Sequence, residues 1–490
     1  MNTNKYLPFL ITLFVFSNLI TCAQQFWAAG FTENLDTINN GQILIQPLAD
    51  TILVQDFNTY VQFESTMAGI YDDNGDILFY TNGCHLYNKF HEIIPNGENL
   101  NPGEIHDLVC DDYGYIAPKG ATIVRFDDFP NLYILIHTGV ENSISHSVNY
   151  GPLYMTQIDY NPSTEKLSVI SKNEIIIDAE IDPFEIIKHG NGRDWWIITN
   201  QFGTANYHKI LLSPYGIEEH TIQTLGYDFP FPPCRWQRSL SASPSGERLV
   251  RFSSRCGVQF LNFDRCNGEL AEAGFSYLED NIYAGGGSVF SKNSDYVYFS
   301  WWYQIIKVAF QNPPDTLNSS FIPELGFGAS FSNMYRDPSG RIFIHPQAAE
   351  PYLHLIENDL MDEDTALVSV EGLKLNKRIQ HTIPHYPNEK LGPLENSVCD
   401  SLLVDNIIEL DVHKKLNLFP NPTNSSLKII TQLKGEKEFR IFDAYGKVLK
   451  KMIIISNETD LDVSDFPTGI YFISIYQNGY QIDSGNFLKA

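Results

Sequence analysis

Asp337-Pro338-Ser339-Gly340-Arg341-Ile342-Phe343-Ile344 decides the fold, because the same phrase of a turn followed by a strand recurs along the chain. Further copies read Ser243-Pro244-Ser245-Gly246-Glu247-Arg248-Leu249-Val250, Gly190-Asn191-Gly192-Arg193-Asp194-Trp195-Trp196-Ile197-Ile198 and Lys292-Asn293-Ser294-Asp295-Tyr296-Val297-Tyr298-Phe299. Two more are Phe129-Pro130-Asn131-Leu132-Tyr133-Ile134-Leu135 and Asp73-Asn74-Gly75-Asp76-Ile77-Leu78-Phe79-Tyr80. Pro, Asn, Asp, Ser and Gly supply the dihedrals of a tight turn, and the β-branched and aromatic run behind them reads as a strand. The spacing is roughly 45 to 60 residues, close to the period of a four-stranded blade. Small-residue strands precede the copies (66–69, 239–242, 285–288, 328–331), as crowding round a central channel demands, and alternating strands follow (154–159, 207–212, 258–263, 305–310). The pattern predicts an all-β chain built as a β-propeller.

The two ends of this region set the blade number. Residues 378–385, Arg-Ile-Gln-His-Thr-Ile-Pro-His, read as a seventh inner strand, while 26–29 and 42–45 lie before the first copy. Pairing them completes a seventh blade and hides both sheet edges. The expectation is a seven-bladed propeller, with six blades as the alternative, and no run of helical period interrupts it.

Composition agrees with a folded, multi-domain chain. The protein has 490 residues, 43% of them hydrophobic and 13% aromatic, so it has the material for a large core rich in strands. Its 33 Lys and Arg against 59 Asp and Glu give a net charge of -26, which opposes nucleic-acid binding. The acidity is local: residues 24–413 hold 22 basic and 51 acidic residues, net -29, whereas 414–490 are net +2.

The N-terminus reads as an export signal. One charge, Lys5, precedes an apolar run over residues 7–20 and the small-residue site Thr21-Cys22-Ala23, which predicts a signal peptide over 1–23. The run is too short, and carries Pro8, to read as a membrane span; a second reading makes Cys22 a lipid-bearing cysteine. No later stretch is long and apolar enough to cross a bilayer, so the mature chain is expected to have no transmembrane segment. Cleavage after Ala23 leaves Cys84, Cys110, Cys234, Cys256, Cys266 and Cys399, an even set that permits disulfides in an exported protein. The propeller topology makes Cys84 with Cys110, and Cys234 with Cys256, rim partners, leaving Cys266 and Cys399 over.

The C-terminal stretch has a different character. Short alternating strands are broken by Pro, Asn and Gly, with Tyr445-Gly446-Lys447 and Pro467-Thr468-Gly469 each expected to close a hairpin, which fits a small Ig-like β-sandwich over 414–490 after a linker over 401–413. Three phrases stand out: Leu418-Phe419-Pro420-Asn421-Pro422-Thr423; Phe442-Asp443-Ala444-Tyr445-Gly446-Lys447; and Asp462-Val463-Ser464-Asp465-Phe466-Pro467-Thr468-Gly469-Ile470-Tyr471-Phe472. Together they resemble the type A C-terminal sorting domain of the Bacteroidetes type IX secretion system, carried by Pro420, Asn421, Pro422, Asp443, Gly446, Lys447, Gly469 and Tyr471. The resemblance implies export to the periplasm, passage through the outer-membrane translocon with the type IX machinery as partner, removal of the tail, and release or anchoring at the cell surface. The ending Asn486-Phe487-Leu488-Lys489-Ala490 departs from the family's usual basic or valine terminus.

A second resemblance concerns residues 26–400. Residues 70–83 and 87–97, with Pro387 and Leu391-Gly392-Pro393-Leu394-Glu395-Asn396-Ser397-Val398-Cys399-Asp400, look like the WD40-like propeller domains of large Bacteroidetes surface proteins, some of them gliding-motility-associated. It implies architecture and no chemistry.

Catalytic signatures do not emerge. The chain has no His-Glu-x-x-His, Gly-x-Ser-x-Gly, phosphate loop or sialidase box. His381 and His385 are separated by Pro384, which disfavours a helical chelate, so no metal site is expected. Residues 72–76 and 359–364 cluster oxygen ligands that could attract Ca²⁺, but neither has EF-hand spacing and hairpin turns favour the same residues. No other cofactor is expected. The loops sharing one propeller rim would gather Phe202, Trp301, Trp302, Tyr113, Tyr115, Phe229, Phe231 and Trp236, an aromatic surface suited to stacking a sugar or gripping a protein. Arg235, Gln237, His189 and His381 are expected at the channel mouth. The sequence thus reads as a secreted, non-catalytic binding propeller for a glycan or protein, with a polysaccharide hydrolase or lyase and a passive surface or gliding component as alternatives.

Overall fold

The recurring aromatic strand is buried on both faces. In Trp195–Asn200, Trp195 joins Ile136 and Leu153 in one cluster, while Trp196 joins Leu249 and Leu261 in the next. Successive strand side chains point to opposite faces, so a strand covered on both sides is apolar at every position, which explains the unbroken runs. Phe79 and Tyr80 divide in the same way, as do Tyr298 and Phe299.

The structure is a computed structural model. It describes residues 26–489 apart from 32–39, 49, 73–75, 145–146, 230–237, 279–285, 302, 318–329, 358–367, 396, 401–415, 432–434, 436, 444–446 and 478–479. The chain divides into two units, Met1–Asp400 and Ser401–Ala490. The expected signal peptide and linker lie outside the described residues.

The first unit holds successive open antiparallel sheets. Sheet I is Trp27–Phe31, Gly41–Pro47 and Ile52–Asp56; sheet II is Ala68–Tyr71, Ile77–Thr81 and Leu86–Asn88. Sheet III is Ala121–Phe126, Phe129–Ile144, Ser147–Asn161 and Lys166–Ile177. Sheet IV is Glu185–Lys188, Trp195–Asn200, Asn206–Ser213 and Gly216–Thr224. Sheet V is Arg238–Ala242, Arg248–Ser253, Gly257–Phe263 and Leu270–Leu278, with Thr316–Leu317 added in parallel. Sheet VI is Ser288–Phe290, Tyr296–Trp301 and Gln304–Ala309. Sheet VII is Phe331–Arg336, Ile342–Pro346, Glu350–Ile356 and Val368–Ile379. One short helix, Glu104–Val109, is the only one among the described residues.

Packing joins the sheets, and side-chain hydrogen bonds such as Ser239 to Ser288 and Tyr207 to Gln259, both at 2.7 Å, cross between them. Buried clusters link I to II through Phe57 and Tyr80, II to III through Phe79 and Leu135, and III to IV through Ile136 and Trp195. Others link IV to V through Trp196 and Leu261, V to VI through Phe252 and Phe299, and VI to VII through Tyr298 and Phe331. A further cluster packs Tyr335 and Phe343 of sheet VII on Trp27 and Ile43 of sheet I. Each fully buried large side chain contributes about 1.5–3 kcal/mol, so these shared clusters, not the turns, set the sheet order.

The expected seventh inner strand does not form. Arg378 and Ile379 end the last strand of sheet VII, and residues 380–388 carry no strand. Their polar groups bond instead to the first strands of several sheets or the residues entering them. The Thr382 hydroxyl donates to the Phe63 carbonyl at 2.7 Å, the Thr122 hydroxyl to the His385 carbonyl at 2.7 Å, and the Tyr386 hydroxyl to the Phe26 carbonyl at 2.6 Å. His385 Nε2 lies 3.3 Å from Glu185 Oε2. Partners from sheets I to IV meet on one short segment, so it occupies the place where the first strands converge.

Beyond it, residues 388–395 and 397–399 form a strap along the turns of sheets IV and V. Asn388 donates to the Pro244 carbonyl at 2.7 Å, Arg265 to the Gly392 carbonyl at 2.8 Å, and Leu394 N–H to the Gly190 carbonyl at 2.8 Å. The turn glycine Gly246, at φ +73°, lies under the strap: a Cβ there would sit 2.9 Å from Leu391. A Cys266–Cys399 disulfide ends the strap, with a Cα separation of 5.5 Å. Cys84 pairs with Cys110, as expected. Cys266 and Cys399 were expected to stay over; the strap brings them together from 133 residues apart. Cys256 is disulfide-bonded too, and Cys234, its expected partner, lies outside the described residues.

The second unit packs two sheets on one core. Leu416–Phe419, Ser426–Thr431 and Glu458–Asp462 form sheet VIII; Lys437–Phe442, Val448–Ile454, Gly469–Gln477 and Tyr480–Lys489 form sheet IX. Leu427, Ile429 and Leu461 from one meet Phe439, Ile441 and Ile473 from the other. Lys437–Phe442 pairs antiparallel with Val448–Ile454, with Tyr445 and Gly446 between them outside the described residues, but Pro467-Thr468-Gly469 closes no hairpin: it carries the chain from sheet VIII to sheet IX, since both sheets need an apolar face covered.

Candidate functional site

Among the described residues of the expected aromatic rim, Tyr115, Phe229 and Phe202 pack into the fold. Tyr115 is buried and its hydroxyl accepts the Val140 N–H at 2.8 Å. Phe229 is buried with the Arg251 guanidinium 4.1 Å from its ring centre, and half-buried Phe202 lies 4.2 Å under Arg238. Tyr113 stands exposed. Trp301 ends its strand in sheet VI, while Trp302, Phe231, Arg235, Trp236 and Gln237 lie outside the described residues.

His189 is not at the channel mouth with Phe202. It follows the far end of Glu185–Lys188, where Nε2 meets the Cys266 carbonyl at 2.8 Å and Nδ1 accepts the Asn191 N–H at 3.0 Å. It is a turn residue because the inner strand runs its length between the two positions. His381 is half-buried with its ring 5.5 Å from that of His345. Among the described residues no three His, Cys, Asp or Glu side chains are grouped to hold a metal. Asp72 accepts the Asp76 N–H at 3.0 Å in its hairpin turn, and residues 359–364 lie outside the described set.

Buried histidines give the fold a pH dependence. His137 is fully buried between Asn101 and Thr156, at 2.7 and 2.9 Å, and burial pushes its imidazole down to about 3. His345 is likewise pushed to about 3 by burial, helped by neighbouring His381. A folded-state value below the unfolded ~6.5 means that the unfolded chain binds more protons in between. Stability is therefore full above about pH 6.5 and falls as pH drops toward 3, by roughly 1.4 kcal/mol per pH unit for each such histidine. Melting curves between pH 7 and 4 test this; a flat midpoint would contradict it.

The structure places an open pocket elsewhere, and the sequence reading missed it. It lies beside sheets I, II and VII, has a volume of about 540 Å³, and is lined by Asn40, Gln42, Asp56, Phe57, Asn58, Thr59, Tyr60, Phe90, His91 and Lys377 among others. Phe57 is buried beneath it against Phe63, Tyr80 and His91. Tyr60 and Phe90 are 69% and 68% exposed, unusual for large apolar rings. The Tyr60 hydroxyl donates to the His91 carbonyl at 2.8 Å, next to Phe90, so both rings hang on one turn. His91 Nδ1 meets the Tyr80 hydroxyl at 3.0 Å, and burial holds its imidazole below the ordinary value. Asp56 accepts from the Asn376 amide at 2.5 Å. Asn40 is 5% exposed and its Oδ1 has no partner. Neither Tyr60 nor Phe90 sits in a repeated phrase, which is why the repeat did not point to them.

A buried charge cluster sits between sheets IV and V. Asp182 meets Arg238 Nη1 at 2.5 Å and Arg251 Nε at 2.8 Å, with all three side chains at most 3% exposed. Arg251 Nη1 also donates to the Thr204 and Tyr227 carbonyls at 3.2 and 3.3 Å.

In the second unit the phrases singled out in the sequence hold strand ends. Asn421 clamps the last strand by donating to the Asn486 carbonyl at 3.0 Å and accepting the Leu488 N–H at 2.8 Å. Pro420 and Pro422 flank it beside a second open pocket. Asp443 accepts the Lys447 N–H at 3.0 Å across the hairpin; Gly446 lies outside the described residues. Gly469 opposes Lys489, and Tyr471 stacks on Phe487 while its hydroxyl donates to the Pro467 carbonyl at 2.7 Å. Residues 417–484 match the family model of the secretion system C-terminal sorting domain. This stretch is a type IX sorting domain. The sorting domain implies the type IX machinery as partner and delivery to the cell surface or extracellular space.

A search of curated proteins finds no significant relative. Among solved structures, the chain is similar to a candidate 6-phosphogluconolactonase of Bacteroides fragilis, with 13% identity over 74% of this chain and 98% of that one and a TM-score of 0.44. It is also similar to PorZ, a surface component of the type IX secretion system of Porphyromonas gingivalis, with 14% identity over 96% of this chain and 58% of that one and a TM-score of 0.34. The β-propeller domain of Myceliophthora thermophila Swd1 matches at 9% identity over 66% and 96%, TM-score 0.34. At these values the likenesses do not extend to function.

Proposed function

We propose that the protein is a non-catalytic binding module of the cell surface or extracellular space, a seven-bladed propeller carried by an Ig-like sorting domain, with its ligand site in the pocket beneath Tyr60 and Phe90. The carrying observation is that pocket: two exposed rings, Tyr60 tied by its hydroxyl to the turn that carries Phe90, beside a hollow of about 540 Å³, within the size range of small-ligand sites. The blade number is supported by seven sheets whose shared clusters run from I to VII and return to I. Asp182 pairs with Arg238 and Arg251, and His385 Nε2 meets Glu185, so these groups serve the fold, which favours the binding reading over a hydrolase or lyase.

Two experiments test the reading. The secreted protein is applied to a glycan and protein array beside Phe90→Ala, which leaves the fold unchanged because the ring is exposed. A signal that the variant loses supports the pocket; equal signals in both place the ligand elsewhere, and cleavage of an arrayed glycan would favour the enzyme. Deleting residues 414–490 is expected to leave the protein in the periplasm, and its appearance in the medium would remove the type IX route.

A further inference from the structure

We infer that the Tyr60–Phe90 pocket takes an uncharged oligosaccharide. This rests on reading the protein as a binding module and adds the chemical class of its ligand.

The two rings stand 69% and 68% exposed, an arrangement that leaves apolar surface in water. Tyr60 is tied through its hydroxyl to the His91 carbonyl at 2.8 Å, so its ring is fixed before any ligand arrives, and a pre-ordered ring loses little entropy on binding. A sugar ring offers an apolar C–H face to such a platform and a rim of hydroxyls to the polar groups beside it. Those groups are amides and a hydroxyl: Asn40, Gln42, Asn58 and Thr59 all line the pocket. Asn40 is the telling one. It is 95% buried, yet its Oδ1 acceptor has no hydrogen-bond partner, and leaving such an atom unmet costs about 1–3 kcal/mol. A ligand that displaces the atoms covering Oδ1 supplies the missing donor through an O–H.

Charge narrows the class further. The pocket's lining has one acid, Asp56, and one base, Lys377, so it offers neither a cationic nor an anionic ligand a net opposite charge. Acidic glycans meet a further difficulty, since residues 24–413 carry a net charge of -29 and repel anions at long range. An uncharged chain of hydroxylated rings avoids both.

The test is calorimetric titration of the mature full-length protein with hexamers of glucose (both linkages), mannose, xylose and N-acetylglucosamine, beside hexagalacturonate and hexalysine. At least one neutral hexamer is expected to bind. Tyr60→Ala and Phe90→Ala each weaken it at least tenfold, Asn40→Ala about fivefold, and Tyr60→Phe about twofold, with melting temperatures of the two alanine ring variants unchanged. Binding of hexagalacturonate or hexalysine, abolished by Phe90→Ala, with no neutral hexamer bound, overturns the ligand class and leaves the binding-module reading standing. If nothing in the panel binds and the array signal also ignores Phe90→Ala, both fail together.

Discussion

Asp182→Asn is expected to destabilise the first unit by about 3–5 kcal/mol, the usual cost of leaving buried charges without their partner. Arg238 and Arg251 are 3% and 2% exposed and converge on this one carboxylate; the asparagine keeps the shape and removes the counter-charge. Arg251 Nη2 already has no partner, so no spare acceptor stands ready to take over. Urea unfolding followed by tryptophan fluorescence gives the measurement. Removing all three charges together, by Asp182→Leu with Arg238→Met and Arg251→Met, is expected to cost less than the single change, because an apolar cluster replaces a broken ionic one. A single-variant loss below 1 kcal/mol would show that water reaches the guanidinium groups.

Cys266→Ser is expected to cost about 2–5 kcal/mol and to make residues 380–400 the first site of proteolytic cutting. The bond closes a loop of 133 residues, against 26 for Cys84–Cys110; the chain-entropy relation makes the longer closure worth about 1.5 kcal/mol more. Cys399→Ser and the double variant should match Cys266→Ser, since each removes the same cross-link. Unfolding midpoints and timed trypsin digests decide it, and a Cys84→Ser variant that proved the more fragile would reverse the ranking.

The fold was legible wherever burial left a periodic trace. The second strands announced themselves because Trp195 and Trp196, or Phe79 and Tyr80, serve two different cores from one strand, and the turns before them carry the residues that turns require. The sorting domain was legible for a related reason: Asn421, Asp443 and Tyr471 each make a bond that fixes a strand end, so they appear as fixed phrases. Closure at 378–385 was half legible. The segment does reach the first strands, but through its own Thr382 and Tyr386 hydroxyls on the Phe63 and Phe26 carbonyls and through the Thr122 and Glu185 side chains, and no alternation rule foresees that. The pairing of Cys266 with Cys399 was hidden because the strap that carries Cys399 has no period, only the path dictated by Asn388, Gly392 and Leu394. Aromatic residues misled in the opposite direction. Phe202 and Phe229 looked like a surface, but an arginine lies against each ring, whereas Tyr60 and Phe90 sit in loops that repeat nothing.

The position of Cys399 bears on how the protein answers a mechanical load. The first unit ends at Asp400, one residue beyond the disulfide. Tension applied from the C-terminal side enters through Cys399 and passes covalently to Cys266 in the turn before Leu270–Leu278. Residues 380–398 are shielded from it. Without the bond the same pull would peel the strap hydrogen bond by hydrogen bond, beginning at Leu394 and ending with Tyr386 and Thr382 in the centre. With it, the sheet must shear as a whole before the last segment can unravel, so a protein dragged by its tail keeps its middle.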